Sequence, residues 1–134
     1  MIIDTGILYA LADRTDRFHH PARELLGSRE TRIVPEPVAV EADWLILENL
    51  GVEVEAAFLR SLTEGTLEVE CPTMEDRARA AELVERYHDL KIGYVDAVTV
   101  AIAERLGETR IATVDRRHFT AIVPRHAVAF DIVP

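Results

Sequence analysis

The chain has 134 residues, 49% hydrophobic and 29% charged, which fits one globular domain with room for a sizeable core. Its formal net charge of −9 argues against indiscriminate binding to nucleic acid, because such binding rests on Lys and Arg contacts to phosphate. The lone Cys71 excludes an internal disulfide or a thiolate zinc cage and suits a reducing cytoplasm; no apolar run approaches the roughly 20 residues of a membrane span, and no secretory signal is expected.

The opening Ile2-Ile3-Asp4 is too short an apolar run for a helix and reads as a buried strand that ends on a carboxylate. Thr5 then stands where it can cap a following helix, expected over Ile7 to Ala12. Asp16 to Leu26 is the next helix, with Phe18, Ala22, Leu25 and Leu26 at helical spacing and Gly27 at its end. Arg32 to Val34 reads as a second strand, closed by Pro35 and Pro37. An apolar-rich helix follows from Val38 to Leu50 and is ended or kinked at Gly51. Glu55, Phe58, Leu59 and Leu62 continue on a further helix as far as Gly65.

Leu67 to Glu70 alternates like a strand, and Thr73-Met74-Glu75-Asp76 has the form of a capping box. The helix it opens carries Ala80, Leu83, Val84 and Tyr87 on one face. Lys91 to Gly93 is a loop. Tyr94 to Leu106 is a helix apolar nearly all round, which calls for burial, and Gly107 stops it. Arg110 to Val114 is a core strand running into Asp115, and Val128 to Phe130 is the last strand expected. Strands alternating with helices indicate an α/β domain with a mostly parallel central sheet. No repeat, low-complexity segment or linker divides it, so residues 1–134 are expected to form one domain.

Four carboxylates stand out, three by their position and Glu41 more weakly, since solvated acids are the usual explanation for residues placed as it is. Asp96 lies in the first turn of the apolar helix, where the helix dipole alone favours it by about 0.3–1 kcal/mol. On so apolar a helix the charge is at least partly desolvated, which is costly unless it is paired or holds a metal. Asp115 ends a strand as Asp4 does, and an N-cap for the segment containing Phe119 is its competing role. Thr113, two residues earlier, shares a strand face with Asp115 and is placed to orient a carboxylate or a water. Glu41 has Val38, Trp44 and Leu45 at helical neighbour positions; Glu36, Asp43 and Glu48 compete with it on spacing alone.

Gathered acids have a chemical use. Mg²⁺ and Mn²⁺ prefer oxygen ligands, and a few carboxylates plus water and substrate phosphate complete their shell. Such a cation offsets the mutual repulsion of the acids, and the water it binds ionises near neutral pH. In that case part of the net negative charge belongs to a site.

The stretches Ile3-Asp4-Thr5-Gly6, Glu41 after Pro37-Val38-Ala39-Val40, Gly93-Tyr94-Val95-Asp96-Ala97 and Thr113-Val114-Asp115 together resemble the PIN-domain nucleases, and most closely the VapC toxins of prokaryotic type II toxin–antitoxin systems. The resemblance runs essentially the full length. It implies a PIN-like three-layer α/β/α domain. It also implies that Asp4, Glu41, Asp96 and Asp115 form the acidic quartet that binds Mg²⁺ or Mn²⁺, with Thr5 and Thr113 as supporting hydroxyls. The implied activity is endoribonuclease cleavage of structured RNA such as tRNA or rRNA. The implied partners are a cognate antitoxin and a second copy of the chain in a homodimer. Position 99, where some relatives carry a further acid, is Thr, and Asp89 is read as a loop residue.

Arg116, Arg117 and His118 follow Asp115 directly, and a basic lip holding RNA phosphates competes there with a solvated surface role or pairing with antitoxin carboxylates. His19 and His20 are adjacent on a helix and do not face one another, so packing or surface roles suit them better than zinc. Trp44, Phe58 and Tyr87 suit a core or a dimer interface. No Gly-rich phosphate loop or G-x-S-x-G elbow is present. Gly6, where a phosphatase would carry a second aspartate, disfavours Asp4 as a phosphoryl nucleophile. A processing nuclease without an antitoxin and a catalytically silent RNA- or protein-binding module stay open as alternatives.

Overall fold

The computed structural model describes residues 1–27 and 30–134. Among them, strands β1 (Ile2–Ile3), β2 (Ile33–Pro35), β3 (Glu68–Glu70), β4 (Arg110–Ala112) and β5 (Asp131–Val133) form one sheet in the order β3-β2-β1-β4-β5. All four pairings are parallel. Between them run α1 (Thr5–Ala12), α2 (His19–Leu26), α3 (Glu36–Leu50), α4 (Val52–Ser61), α5 (Met74–Arg86), α6 (Tyr94–Leu106) and α7 (Arg117–Ala121).

The two-residue period of a strand divides these elements into layers. Ile3, Val34 and Ala112 project into one core, which collects Ile7 and Leu8 of α1, Ala22 of α2, Val38 and Ile46 of α3 and Phe58 of α4. Ile2, Ile33 and Ile111 project into the other, with Leu83 of α5, Val98 and Ile102 of α6, and Phe119 of α7. The result is three layers, α/β/α. Strands this short have few ladder bonds, so the sheet depends on burial, at about 1.5–3 kcal/mol for each fully buried Ile, Leu or Val.

Helix α6 bears out the expectation from its composition, since residues 97–103 are all buried. The capping box of α5 is present: Thr73 Oγ1 accepts from the Asp76 N–H at 3.1 Å, and Asp76 Oδ2 accepts from the Thr73 N–H at 2.9 Å. Arg79 then donates to both oxygens of Glu104 at 2.8 and 2.9 Å, which ties α5 to α6.

Several boundaries differ from the sequence expectation. The last strand is Asp131–Val133, not Val128 to Phe130; Val128 is 93% exposed. Both segments offer apolar residues, but Ile132 and Val133 are the ones opposite Ile111 and Ala112. Asp4, not Thr5, is the residue that precedes α1, and it makes no side-chain cap bond, because its carboxylate is turned elsewhere. Asp16 belongs to a turn, accepting from the Phe18 N–H at 2.7 Å, and α2 begins only at His19. Of the three aromatics, Phe58 is core and Tyr87 packs against the second core, whereas Trp44 is 60% exposed. Among the described residues no helix is long and apolar enough to cross a membrane.

Candidate active site

The sheet order reverses at β1, with β2 on one side of it and β4 on the other. In parallel sheets a crevice opens at such a switch point, beyond the carboxyl ends of the two strands. Asp4 follows β1 there, and Thr113 and Asp115 follow β4. Helices α3 and α6 bring Glu41 and Asp96 to the same end.

Asp4 is the innermost of the acids, 8% exposed. The buried Thr113 hydroxyl donates to its Oδ2 at 2.6 Å. Burial pushes the Asp4 carboxyl up to about 6, the charges of Asp96 and Glu41 push the same way, and the Thr113 bond opposes them. Asp96 and Glu41 are therefore electrostatic neighbours of Asp4. Glu41 is held by Thr5, whose hydroxyl donates to its Oε2 at 2.6 Å.

Asp115 and Asp96 are engaged by α7. Arg117 donates from Nε and Nη2 to the two oxygens of Asp115 at 3.0 and 2.6 Å, and its backbone N–H reaches Oδ1 at 3.2 Å. The guanidinium is the main reason that the Asp115 carboxyl is held down at about 2, despite partial burial. The N-cap of α7 is Arg116, so Asp115 stands one residue before the cap position expected of it, while still accepting from the first N–H of the helix. Its own N–H donates to Thr113 Oγ1 at 3.0 Å, so one threonine positions two acids. The His118 Nδ1 lies 2.5 Å from Asp96 Oδ2; an ionised carboxylate only accepts, so the ring donates there.

The remaining candidates lie apart. Arg116, expected on a basic lip with Arg117, directs its Nη2 to the carbonyls of Ile132 and Pro134 at 2.8 Å each and holds the end of β5. Asp89 stands in an exposed 3-10 turn beside His88, as a loop residue should. His19 bonds the Ala10 carbonyl and His20 pairs with Glu24 on the surface, so they share no site. Thr99 is fully buried one turn after Asp96.

Carboxylates without sulfur suit a hard divalent cation: Asp4, raised mainly by burial, has Asp96 and Glu41 as charge neighbours, and Asp115 is tied to the same place through its backbone N–H on Thr113. Among the described residues no three His, Cys, Asp or Glu side chains already converge as an ion cage. The structure groups the acids at one end of the sheet while α7 holds two of them. The sequence signals missed two features. One is the His118–Asp96 contact, which no local pattern announces. The other is Gly6, where a Cβ would sit 2.3 Å from Val114 Cγ2. A glycine here lets the first turn of α1 approach the end of β4, and so brings Thr5 and Thr113 to one crevice. The Thr-Gly pair after a strand was the available hint.

A family model described as PIN domain matches residues 1–123. Over the whole of both sequences, the chain is 36% identical to Ribonuclease VapC26 of Mycobacterium tuberculosis. Its fold is similar to that of M. tuberculosis VapC20, a sarcin–ricin loop cleaving toxin, with a TM-score of 0.77 and 22% identity over 82% of this chain and 85% of that one. It is also similar to a chain in a toxin–antitoxin complex from Klebsiella pneumoniae, with a TM-score of 0.68 and 20% identity over 90% and 91% of the two.

Proposed function

This chain belongs to the PIN-domain family, and from that premise we propose that it is a VapC-type endoribonuclease, a hydrolase that cuts phosphodiester bonds in structured RNA with the help of Mg²⁺ or Mn²⁺. The observation that carries the reading is Asp4: a carboxylate buried at the switch point, bonded by Thr113 and crowded by the charges of Asp96 and Glu41. Burying such a group is costly unless its charge is compensated.

Asp4, Glu41, Asp96 and Asp115 would hold the cation. When bound, it supplies a water that ionises near neutral pH and stabilises charge building on the phosphate. The chain's own residues prepare that chemistry. Thr113 fixes Oδ2 of Asp4 and the backbone of Asp115. Thr5 fixes Glu41. Arg117, the basic residue beside the acids, matches a phosphate with its guanidinium fork. Arg116 serves β5 instead.

A cognate antitoxin and a second copy of the chain are the protein partners in this reading. Val40, Trp44 and Leu47 support it, forming an exposed apolar stripe at successive turns of α3 beside Glu41. The lone Cys71 fits a cytoplasmic setting.

Incubation of the purified protein with tRNA or ribosomal RNA tests the activity. Cleavage is expected with Mg²⁺ or Mn²⁺, and loss of it with chelator or in Asp4→Asn and Asp96→Asn. Undiminished cleavage by Asp4→Asn would overturn the reading. Growth arrest on expression, relieved by the product of a neighbouring small gene, tests the toxin assignment.

A further inference from the structure

Two consecutive residues of α7 each take hold of a different acid of the site. Arg117 occupies both oxygens of Asp115 with its side chain and one of them again with its backbone N–H. His118 occupies Oδ2 of Asp96. A carboxylate has about four lone-pair directions, so three donors leave Asp115 little for anything else. A guanidinium and a divalent cation compete for the same oxygens.

The Arg117 side chain is 79% exposed, and its side-chain bonds among the described residues all go to Asp115. It can therefore change partner without disturbing the core. A phosphodiester presents two oxygens in the same fork geometry as a carboxylate. His118, next on the same helix and 24% exposed, is a second donor beside it, within reach of the same incoming group.

We propose that Arg117 and His118 are exchange donors: they hold Asp115 and Asp96 until an RNA phosphate draws them away, so that phosphodiester and divalent cation bind cooperatively. The proposal rests on the metal-nuclease reading above. Arg117 and His118 are in these terms positioning residues, whose exchange releases carboxylate oxygens to the cation as the substrate arrives. Linkage makes the effect reciprocal, so the cation tightens RNA binding by the same factor.

The test is calorimetric titration of the full chain with Mn²⁺ alone, comparing wild type with Arg117→Ala, His118→Asn and Arg116→Ala. Arg116→Ala is the control, since it removes the same charge but a guanidinium turned to the Ile132 and Pro134 carbonyls. Arg117→Ala is expected to bind Mn²⁺ about two- to fivefold more tightly than both wild type and Arg116→Ala, the range of an exposed ion pair. His118→Asn is expected to shift the same way. A 2′-O-methyl oligoribonucleotide, which resists hydrolysis, should tighten Mn²⁺ binding to wild type and not to Arg117→Ala. Equal Mn²⁺ affinity in Arg117→Ala and Arg116→Ala would overturn the exchange, as would an oligonucleotide effect that survives Arg117→Ala. If all four proteins bind Mn²⁺ alike, the exchange alone falls; if none binds it, the metal-nuclease reading falls with it.

Discussion

Asp4 and Thr113 lie 109 positions apart in the chain and share a buried hydrogen bond of 2.6 Å. It joins the ends of the neighbouring strands β1 and β4, at the place where the sheet order reverses. The same threonine accepts from the Asp115 N–H. In the proposed reading a stability contact and a site contact are here one contact, so changes at this point should register in both.

The Asp4 carboxyl moves from 3.8 to about 6 in the folded protein. The native state therefore binds this proton more tightly than the unfolded chain does. Above about pH 6 the ionised group costs about 3 kcal/mol of stability, and the cost fades as pH falls from 6 towards 4. Asp4→Asn keeps an oxygen to accept from Thr113 and removes the charge. We expect it to be inactive yet more stable than wild type near pH 8, with the gap closing between about pH 6 and pH 4. Urea unfolding of both proteins across that range is the measurement.

Thr113→Val keeps the shape and deletes the hydroxyl. Asp4 loses a donor to its charged form, so its carboxyl should rise further, and the Asp115 N–H loses its acceptor. A loss of about 1–3 kcal/mol is expected from a buried polar group left without its partner. Thr113→Ser should recover most of it. Chemical denaturation gives the energy, and NMR titration of the Asp4 carboxyl gives the shift.

Gly6→Ala would place a Cβ 2.3 Å from Val114 Cγ2, a separation that real contacts do not tolerate. The Val114 side chain, α1 or the segment after β4 must move, at about 1–3 kcal/mol for overpacking. Because Thr5 and Thr113 flank the clash, cleavage should fall along with stability. Val114→Ala removes the clashing methyl, so the double variant should recover stability relative to Gly6→Ala. A double-mutant cycle by thermal melting reads the coupling.

Far from the crevice, Arg79 and Glu104 pair between α5 and α6, with about a tenth of each side chain exposed. Arg79 and the Arg125 contacts hold the Glu104 carboxyl below its ordinary range against the effect of burial. Its stabilising contribution is thus present at neutral pH and lost as acid titrates the folded form. Glu104→Ala leaves the Arg79 guanidinium without its main partner and should cost about 3 kcal/mol, with cation binding at the crevice unchanged. Urea unfolding and Mn²⁺ titration of the same variant check both halves.

Much of this arrangement was legible in the residues. Short apolar runs ending on Asp4 and near Asp115 marked strands whose carboxyl ends face a crevice, and the apolar composition of residues 94–106 required the burial that α6 has. Thr73 to Asp76 spelled a capping box that formed. Other features had no local signal. Val128 and Phe130 alternate as a strand would, yet Ile132 and Val133 took the ladder, because the choice lay in pairing with β4. Trp44 read as core or dimer interface by its chemistry, and only the packing of α3, which leaves it 60% exposed, excluded the core.

By itself the sequence determined the kinds and order of the elements, the parallel α/β layering and the presence of acids at strand ends and on an apolar helix. Those properties follow from periodicity, caps and the cost of desolvating charge, all of which act over a few residues. Only the tertiary structure decided which donors hold which acids. Arg116 and Arg117 are neighbours of like chemistry, but one secures the carbonyls of β5 and the other grips Asp115, while His118 reaches Asp96 on a different helix. Such partners are chosen by where whole elements pack, and the spacing of residues along the chain carries no record of that.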